Sequence, residues 1–213
     1  MTDNTAFNVS GQTPINANIH RKSLKDMFQA DEQNGSVPAG IASTTSAVEY
    51  GNRVLHKTVI TCTATPVTIT DDAGVAQYGG VQLYDFPEGM LNFQGATIDG
   101  SITGGVTGTI IATFDGDVAL GTATATTGAT LVGTEADYLT STALTQAVAS
   151  VANADAQSVA TALTESGARW LDGTATAKDL FLNFVIDDDA THTAGTASFT
   201  GVVSFVWMTL GNN

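Results

Sequence analysis

The residues of this sequence whose chemistry could make a site are three histidines, one cysteine and a run of aspartates. His192 follows Asp187, Asp188 and Asp189 in the stretch DDDATHTAGT, where imidazole and carboxylates could hold a metal or supply part of a catalytic triad. Consecutive aspartates do not point one way, however, and neither a His-x-x-x-His pair nor a Gly-x-Ser-x-Gly elbow occurs with His20, His56 or His192. A solvated loop is the reading these residues support. Asp187 and Asp189, with Asp115 and Asp117, offer the hard oxygen ligands calcium takes, but no EF-hand ligand loop surrounds them. Cys62 and His56 would form a Cys–His nucleophile pair only if the fold brought them together. A lone cysteine buried as a small apolar group is the simpler reading. Gly100-Ser101-Ile102-Thr103-Gly104-Gly105 has the glycines of a phosphate cradle without the following Gly-Lys-Ser/Thr, and turn glycines account for it. Tyr78, Tyr84, Phe86 and Phe93 could line a sugar-binding face, yet the alternation of Tyr84 and Phe86 is also that of a core face, which is preferred here. The sequence predicts no catalytic, metal-binding or cofactor-binding residues, and a chain that is not an enzyme.

The elements around these residues read as strands. Leu180, Leu182, Phe184 and Ile186 repeat every second position within Asp179 to Ile186. Phe199, Val203, Phe205 and Trp207 do the same in the last strand, Ser198 to Leu210, with Val202, Ser204, Val206 and Met208 between them. A strand apolar on both faces sits inside a fold. Leu182, Phe184, Phe205 and Trp207 are the predicted core, and the polar stretch between the two runs predicts a hairpin. Further strands are expected at residues 57–63, 67–70, 80–86, 90–98, 106–114 and 118–125, with turns at Asp71-Asp72-Ala73-Gly74, Pro87-Glu88-Gly89, Asp99-Gly100, Gly104-Gly105 and Asp115-Gly116. Roughly eight such strands predict an all-β body of β-sandwich or jelly-roll type. Residues 126–176 are dominated by Ala, Thr and Ser, and within them Leu144, Ala147, Val148 and Val151 fit helical spacing while Leu144, Gln146, Val148 and Ser150 fit half a strand; a short helix or irregular excursion at 141–152 and a strand at 158–163 are expected. Trp170-Leu171-Asp172-Gly173 reads as a turn with a tryptophan plugging the core.

Charge divides the chain. Residues 1–57 carry five basic and five acidic side chains, whereas the rest carries Arg169 and Lys178 against sixteen carboxylates, so the whole net charge of −14 lies there. Such a body repels nucleic acid, whose binding rests on Lys and Arg neutralising phosphates. Solubility at high local concentration or attraction to a basic partner would both use this charge. One cysteine excludes a disulfide framework. No apolar run approaches the ~20 residues of a membrane helix. The amino terminus lacks the pattern of a secretory signal, so synthesis in a cytoplasm and no membrane partner are expected.

Residues 1–57 are rich in Asn, Ser, Thr, Gln and Gly and read as an extended arm on a body of residues 58–213. Within the arm, Leu24, Met27 and Phe28 share one helical face, Ser23 and Asp26 resemble a capping box, and Asn34-Gly35 would end the helix. A helix so short needs a surface to lie on. It either packs on its own body or docks on a neighbouring subunit through Arg21, Lys22, Leu24, Lys25, Met27 and Phe28.

The order Leu171-Asp172-Gly173-Thr174-Ala175-Thr176-Ala177-Lys178-Asp179-Leu180-Phe181-Leu182-Asn183, an acidic turn, then Gly201-Val202-Val203-Ser204-Phe205-Val206-Trp207-Met208-Thr209-Leu210-Gly211 resembles the carboxyl-terminal part of decoration (cement) proteins of tailed-bacteriophage heads. The likeness is one of texture and order over residues 58–213, and looser over the arm. It implies a jelly-roll body on the outer surface of an icosahedral capsid, bound to the major capsid protein, self-associating as dimers or trimers, with an arm reaching over adjacent subunits. No active-site residues accompany that family. A virion-surface or fibre module that binds host glycans is the rival reading.

Overall fold

The computed structural model describes residues 35–51, 54–72, 76–107, 116–148, 151–154, 156–157, 170–187 and 193–209. The chain divides into two compact units, Met1–Gln33 and Asn34–Asn213, and every described residue belongs to the second. The expected arm helix, with Arg21, Lys22, Leu24, Lys25, Met27 and Phe28, lies outside the described residues, as do His192, Asp188, Asp189, Asp115 and the strand expected at 158–163.

The second unit is almost entirely β. Its strands are β1 (Thr45–Gly51), β2 (Leu55–Asp72), β3 (Ala76–Asp85), β4 (Gly89–Thr107), β5 (Gly116–Gly121), β6 (Leu139–Ala143), β7 (Thr145–Val148), β8 (Val151–Asn153), β9 (Ala156–Gln157), β10 (Trp170–Gly173), β11 (Asp179–Asp187) and β12 (Gly195–Thr209). They form one antiparallel sheet in the order β6-β5-β11-β3-β2-β12-β4-β8-β7, with β1 added on β2 and β9 and β10 on β4. The strands at the two ends of this order, β6 and β7, are separated in the chain by Leu144 alone. Consecutive Cα atoms lie about 3.8 Å apart, so the two ends of the sheet must meet and the sheet is curled on itself. Leu144 is buried at that seam, and its N–H donates to the Gly116 carbonyl at 2.7 Å.

Several expectations change. The last two strands do not form a hairpin: β11 lies between β3 and β5, and β12 between β2 and β4. Periodicity identifies the face a strand buries, not its neighbour. The seven residues between β11 and β12 reach roughly 23 Å, enough to pass the two interposed strands, roughly 14 Å across. Residues 45–51, expected in the arm, form β1 and pair with β2 from Thr45↔Cys62 to Gly51↔His56. The unit boundary therefore falls at 33/34 and not at 57. β1 escaped notice because its outer side chains stay exposed and its apolar content is low. Where a helix was possible, residues 139–148 are strands β6 and β7, stabilised by ladders to β5 and β8. Trp170 is no plug: it lies on β10, half exposed. Gly100 and Gly104 are not turn glycines but lie inside β4, where Gly100 pairs with Gly201 beneath the Phe199 ring; a Cβ on either would strike backbone.

The two expected strands at 57–63 and 67–70 are one strand, β2, with a bulge. His56, Thr58, Ile60 and Cys62 are buried, then Thr65, Val67 and Ile69, so the inward parity switches between Cys62 and Thr65. Thr63 and Ala64 together oppose Thr200, and Ala64 has φ 52°, the left-handed region. Its N–H donates to Thr200 Oγ1 at 3.0 Å.

Inside the curl, Leu182, Phe184, Phe205 and Trp207 are at most 1% exposed. Phe86 sits amid Tyr84, Tyr138, Phe205 and Trp207 at centroid separations of 5.2–5.9 Å, mostly edge to face. A second, smaller cluster of Ala76, Ala119, Ala125, Leu131, Ala136 and Val185 lies on the outer side of β11, where residues 122–138 fold back over the sheet.

Candidate functional site

The polar groups with most structure around them converge where the described chain begins. Gly51 ends β1 opposite His56 of β2, so Glu49, two residues before it, faces the same side of the two strands as His56. Glu49 Oε2 lies 3.3 Å from His56 Nδ1, and Glu49 Oε1 accepts the Gly35 N–H at 3.1 Å. That N–H also reaches Tyr84 Oη at 2.9 Å. His56 pairs in register with Trp207 of β12 and stacks on its indole at 4.1 Å with 14° between planes. Trp207 Nε1 donates to Thr58 Oγ1 at 2.9 Å. A side chain at Gly35 would strike the Asp85 carbonyl and the Tyr84 ring, so only glycine fits. Ser36 completes the attachment through reciprocal backbone bonds with Asp85 of 2.9 and 2.8 Å.

A carboxylate holding an imidazole is the orienting half of an acid–base apparatus, but this one is closed. His56 is 3% exposed, and its Nε2 is buried without a hydrogen-bond partner. Cys62 is no partner for it: six residues along the same strand is roughly 20 Å. Burial pushes the Cys62 thiol up from its ordinary pKa, against hydrogen bonds from Thr65 and Thr45 that lower it, which disfavours the reactive thiolate. The arrangement can do one thing well: fix Gly35 and Ser36, which follow residues 1–33 in the chain, to β1 and β3.

Carboxylates gather without forming a metal site. Among the described residues no group of three or more His, Cys, Asp or Glu could hold a metal ion. Asp179 of β11 stands opposite Asp85 of β3, and burial, then the Asp85 charge, raise its pKa. Asp137 is also raised by burial, partly offset by hydrogen bonds from Thr122. Tyr84, Phe86 and Phe93 are core residues, and Tyr78 packs half-buried on the smaller cluster.

Sequence reasoning missed Glu49 and Asn183 and gave Gly35 only the end of a helix. Asn183 is fully buried on the outer side of β11: its Oδ1 accepts the Ala125 N–H at 2.9 Å, and its Nδ2 donates to the Ala123 and Glu135 carbonyls at 2.8 Å each. An asparagine between leucine and phenylalanine in an otherwise apolar strand was the available signal. Comparison with protein-family models, curated proteins and solved structures finds no match for the chain. No helix among the described residues is long and apolar enough to cross a membrane.

Proposed function

We propose that this chain is a non-enzymatic structural virion protein that binds the outer surface of an icosahedral phage capsid and stabilises the shell by bridging neighbouring major capsid protein subunits. The observation that carries the reading is the fastening at Gly35 and Ser36. A clamp needs a stiff body and a long segment whose attachment passes load into that body. Here a segment of 33 residues precedes a junction tied to two strands of a sheet with an aromatic core. In this reading the curled sheet is the two-layer jelly roll of a decoration protein, the arm residues Arg21, Lys22, Leu24, Lys25, Met27 and Phe28 reach a neighbouring subunit, and the body associates with itself as a dimer or trimer. The chain needs no cofactor, contacts neither nucleic acid nor membrane, and joins the virion after synthesis in the host cytoplasm. Modest contacts repeated over a lattice yield high avidity, and binding the assembled shell alone stabilises it by mass action.

Sedimentation with undecorated heads tests the proposal, comparing the full chain with one lacking residues 1–33. A cut at 57 would remove β1 and test folding instead. The full chain is expected to pellet with heads and raise the temperature at which they release DNA, and the truncated chain to bind weakly. Heads that release DNA at the same temperature with and without the chain would overturn the clamp. The glycan-binding alternative has one observation in its favour, the half-exposed indole of Trp170, and a glycan array without hits would dispose of it.

A further inference from the structure

The outer side of the sheet is uneven in a way that the fold does not require. On β1, the first half of β2 and the second half of β12, three registered rows run across the strands: Val48–Val59–Ser204, Tyr50–Lys57–Val206 and Leu55–Met208. Val48, Tyr50 and Leu55 are 50%, 58% and 46% exposed, and Val54 beside them is 45% exposed. Val59, Val206 and Met208 are half-buried. With strands ~4.8 Å apart and rows ~7 Å apart, these side chains span roughly 10 by 15 Å. Ser46, Thr61, Asn92 and Thr97 rim them in the neighbouring register positions.

The charge pattern is as uneven as the apolar one. A chain with 21 carboxylates and seven Lys and Arg places no carboxylate on the outer side of β1, residues 55–63 of β2 or residues 200–208 of β12. Glu49 points inward to His56, and Asp99 stands opposite Val202 at the rim. Lys57 occupies the middle of the central row, exposed. Aliphatic groups and Tyr50 around one cation have the composition of a protein interface core, while the amides at its Met208 edge, Asn92 and Gln94, bond to each other, with Trp170 beyond Asn92 in the same row.

We propose that this face seats on the capsid shell, against an apolar patch of a coat subunit that presents a carboxylate to Lys57. The inference rests on the reading that the chain sits on a shell, and adds which surface does so. Charge selects the partner. Two copies packed face to face on a twofold would bring a Lys57 from each into a face with no carboxylate between them. A coat surface with a carboxylate pairs the lysine and meets none of the body's own acids.

Co-sedimentation of the full chain with heads assembled without it tests the assignment, using Tyr50→Glu, Lys57→Glu and, as a control on another exposed apolar side chain, Val132→Glu. The first two are expected to weaken binding by roughly tenfold or more, as an unpaired or like charge at an interface does, with melting temperatures unchanged. Val132→Glu is expected to bind as wild type. Oxidative footprinting of the unmodified chain gives a readout independent of the variants: Tyr50 and Met208 become protected on heads while Tyr78, packed on the covered side of the sheet, keeps its labelling. Binding by Tyr50→Glu and Lys57→Glu equal to wild type, equal loss in Val132→Glu, or unprotected Tyr50 would overturn the face. Failure of wild type to bind heads would instead overturn the shell reading. Self-association abolished by Tyr50→Glu would then give the face to a second copy, which also overturns this proposal.

Discussion

Two outer faces of the same sheet are treated differently. Over β11, residues 122–138 fold back and bury Val185 and Asn183, with Asn183 as the rivet. Over β1, β2 and β12, Val48, Tyr50, Leu55 and Val206 remain open to different degrees. Both faces alternate apolar residues with the same period, so the difference lies in what the chain lays over them. An apolar face covered by its own chain serves stability; one that the described residues leave clear of both cover and carboxylates suits a partner.

Substitutions can break that comparison in order of size. Trp207→Ala strikes the core beneath the open face, removing the indole, its stack on His56 and its bond to Thr58. It is expected to cost roughly 3–5 kcal/mol in urea unfolding; a near-normal midpoint would mean that the ring is not central. Asn183→Ala removes the rivet and leaves a buried N–H and two carbonyls without their partner, at about 2–3 kcal/mol. Amide exchange in residues 123–136 should quicken with it, turning the covered face into an open one. Unchanged exchange would show that apolar packing alone holds the cover.

Smaller effects sharpen the contrast. Ala64→Gly relieves the left-handed backbone at the β2 bulge and should stabilise by about 0.5–1 kcal/mol, net of the added chain entropy. Val48→Thr on the open face should stay within about 0.5 kcal/mol of wild type; a cost several times larger would place that face inside the fold. Asp179 tests the covered side electrostatically. Its folded-state pKa is raised above the ordinary 3.8 by burial and then by Asp85, so the protonated acid is favoured by folding. That stability is complete below the unfolded value and is lost as pH rises through the folded one. Asp179→Asn should therefore unfold at higher urea than wild type at pH 7, with the gain fading below about pH 4. An equal gain at both pH values would assign the effect to packing.

What was legible in the sequence follows from period. Leu182, Phe184, Phe205 and Trp207 repeat every second residue and are buried, because alternation reports a face directly. Pairing left no such trace. The hairpin expected between β11 and β12 was wrong, since the two strands satisfy their ladders with β3, β5, β2 and β4. Leu144 fitted a helical stripe and proved to be the residue joining the sheet's two ends. The Glu49–His56 pair leaves no trace in the sequence because it depends on the β1–β2 register: Gly51 opposes His56, which puts Glu49, two residues before Gly51, on the same face as the imidazole.

The place of β12 also has a consequence in time. It comes last among the described strands, and it lies in the middle of the sheet between β2 and β4. As a ribosome delivers this protein, β2 and β4 emerge with a vacant slot between them and neither can be zipped to the other side of the sheet. The sheet cannot close until β12 has emerged, and a premature stop within the fifteen residues of β12 deletes the centre of the sheet where another fold would lose a fringe.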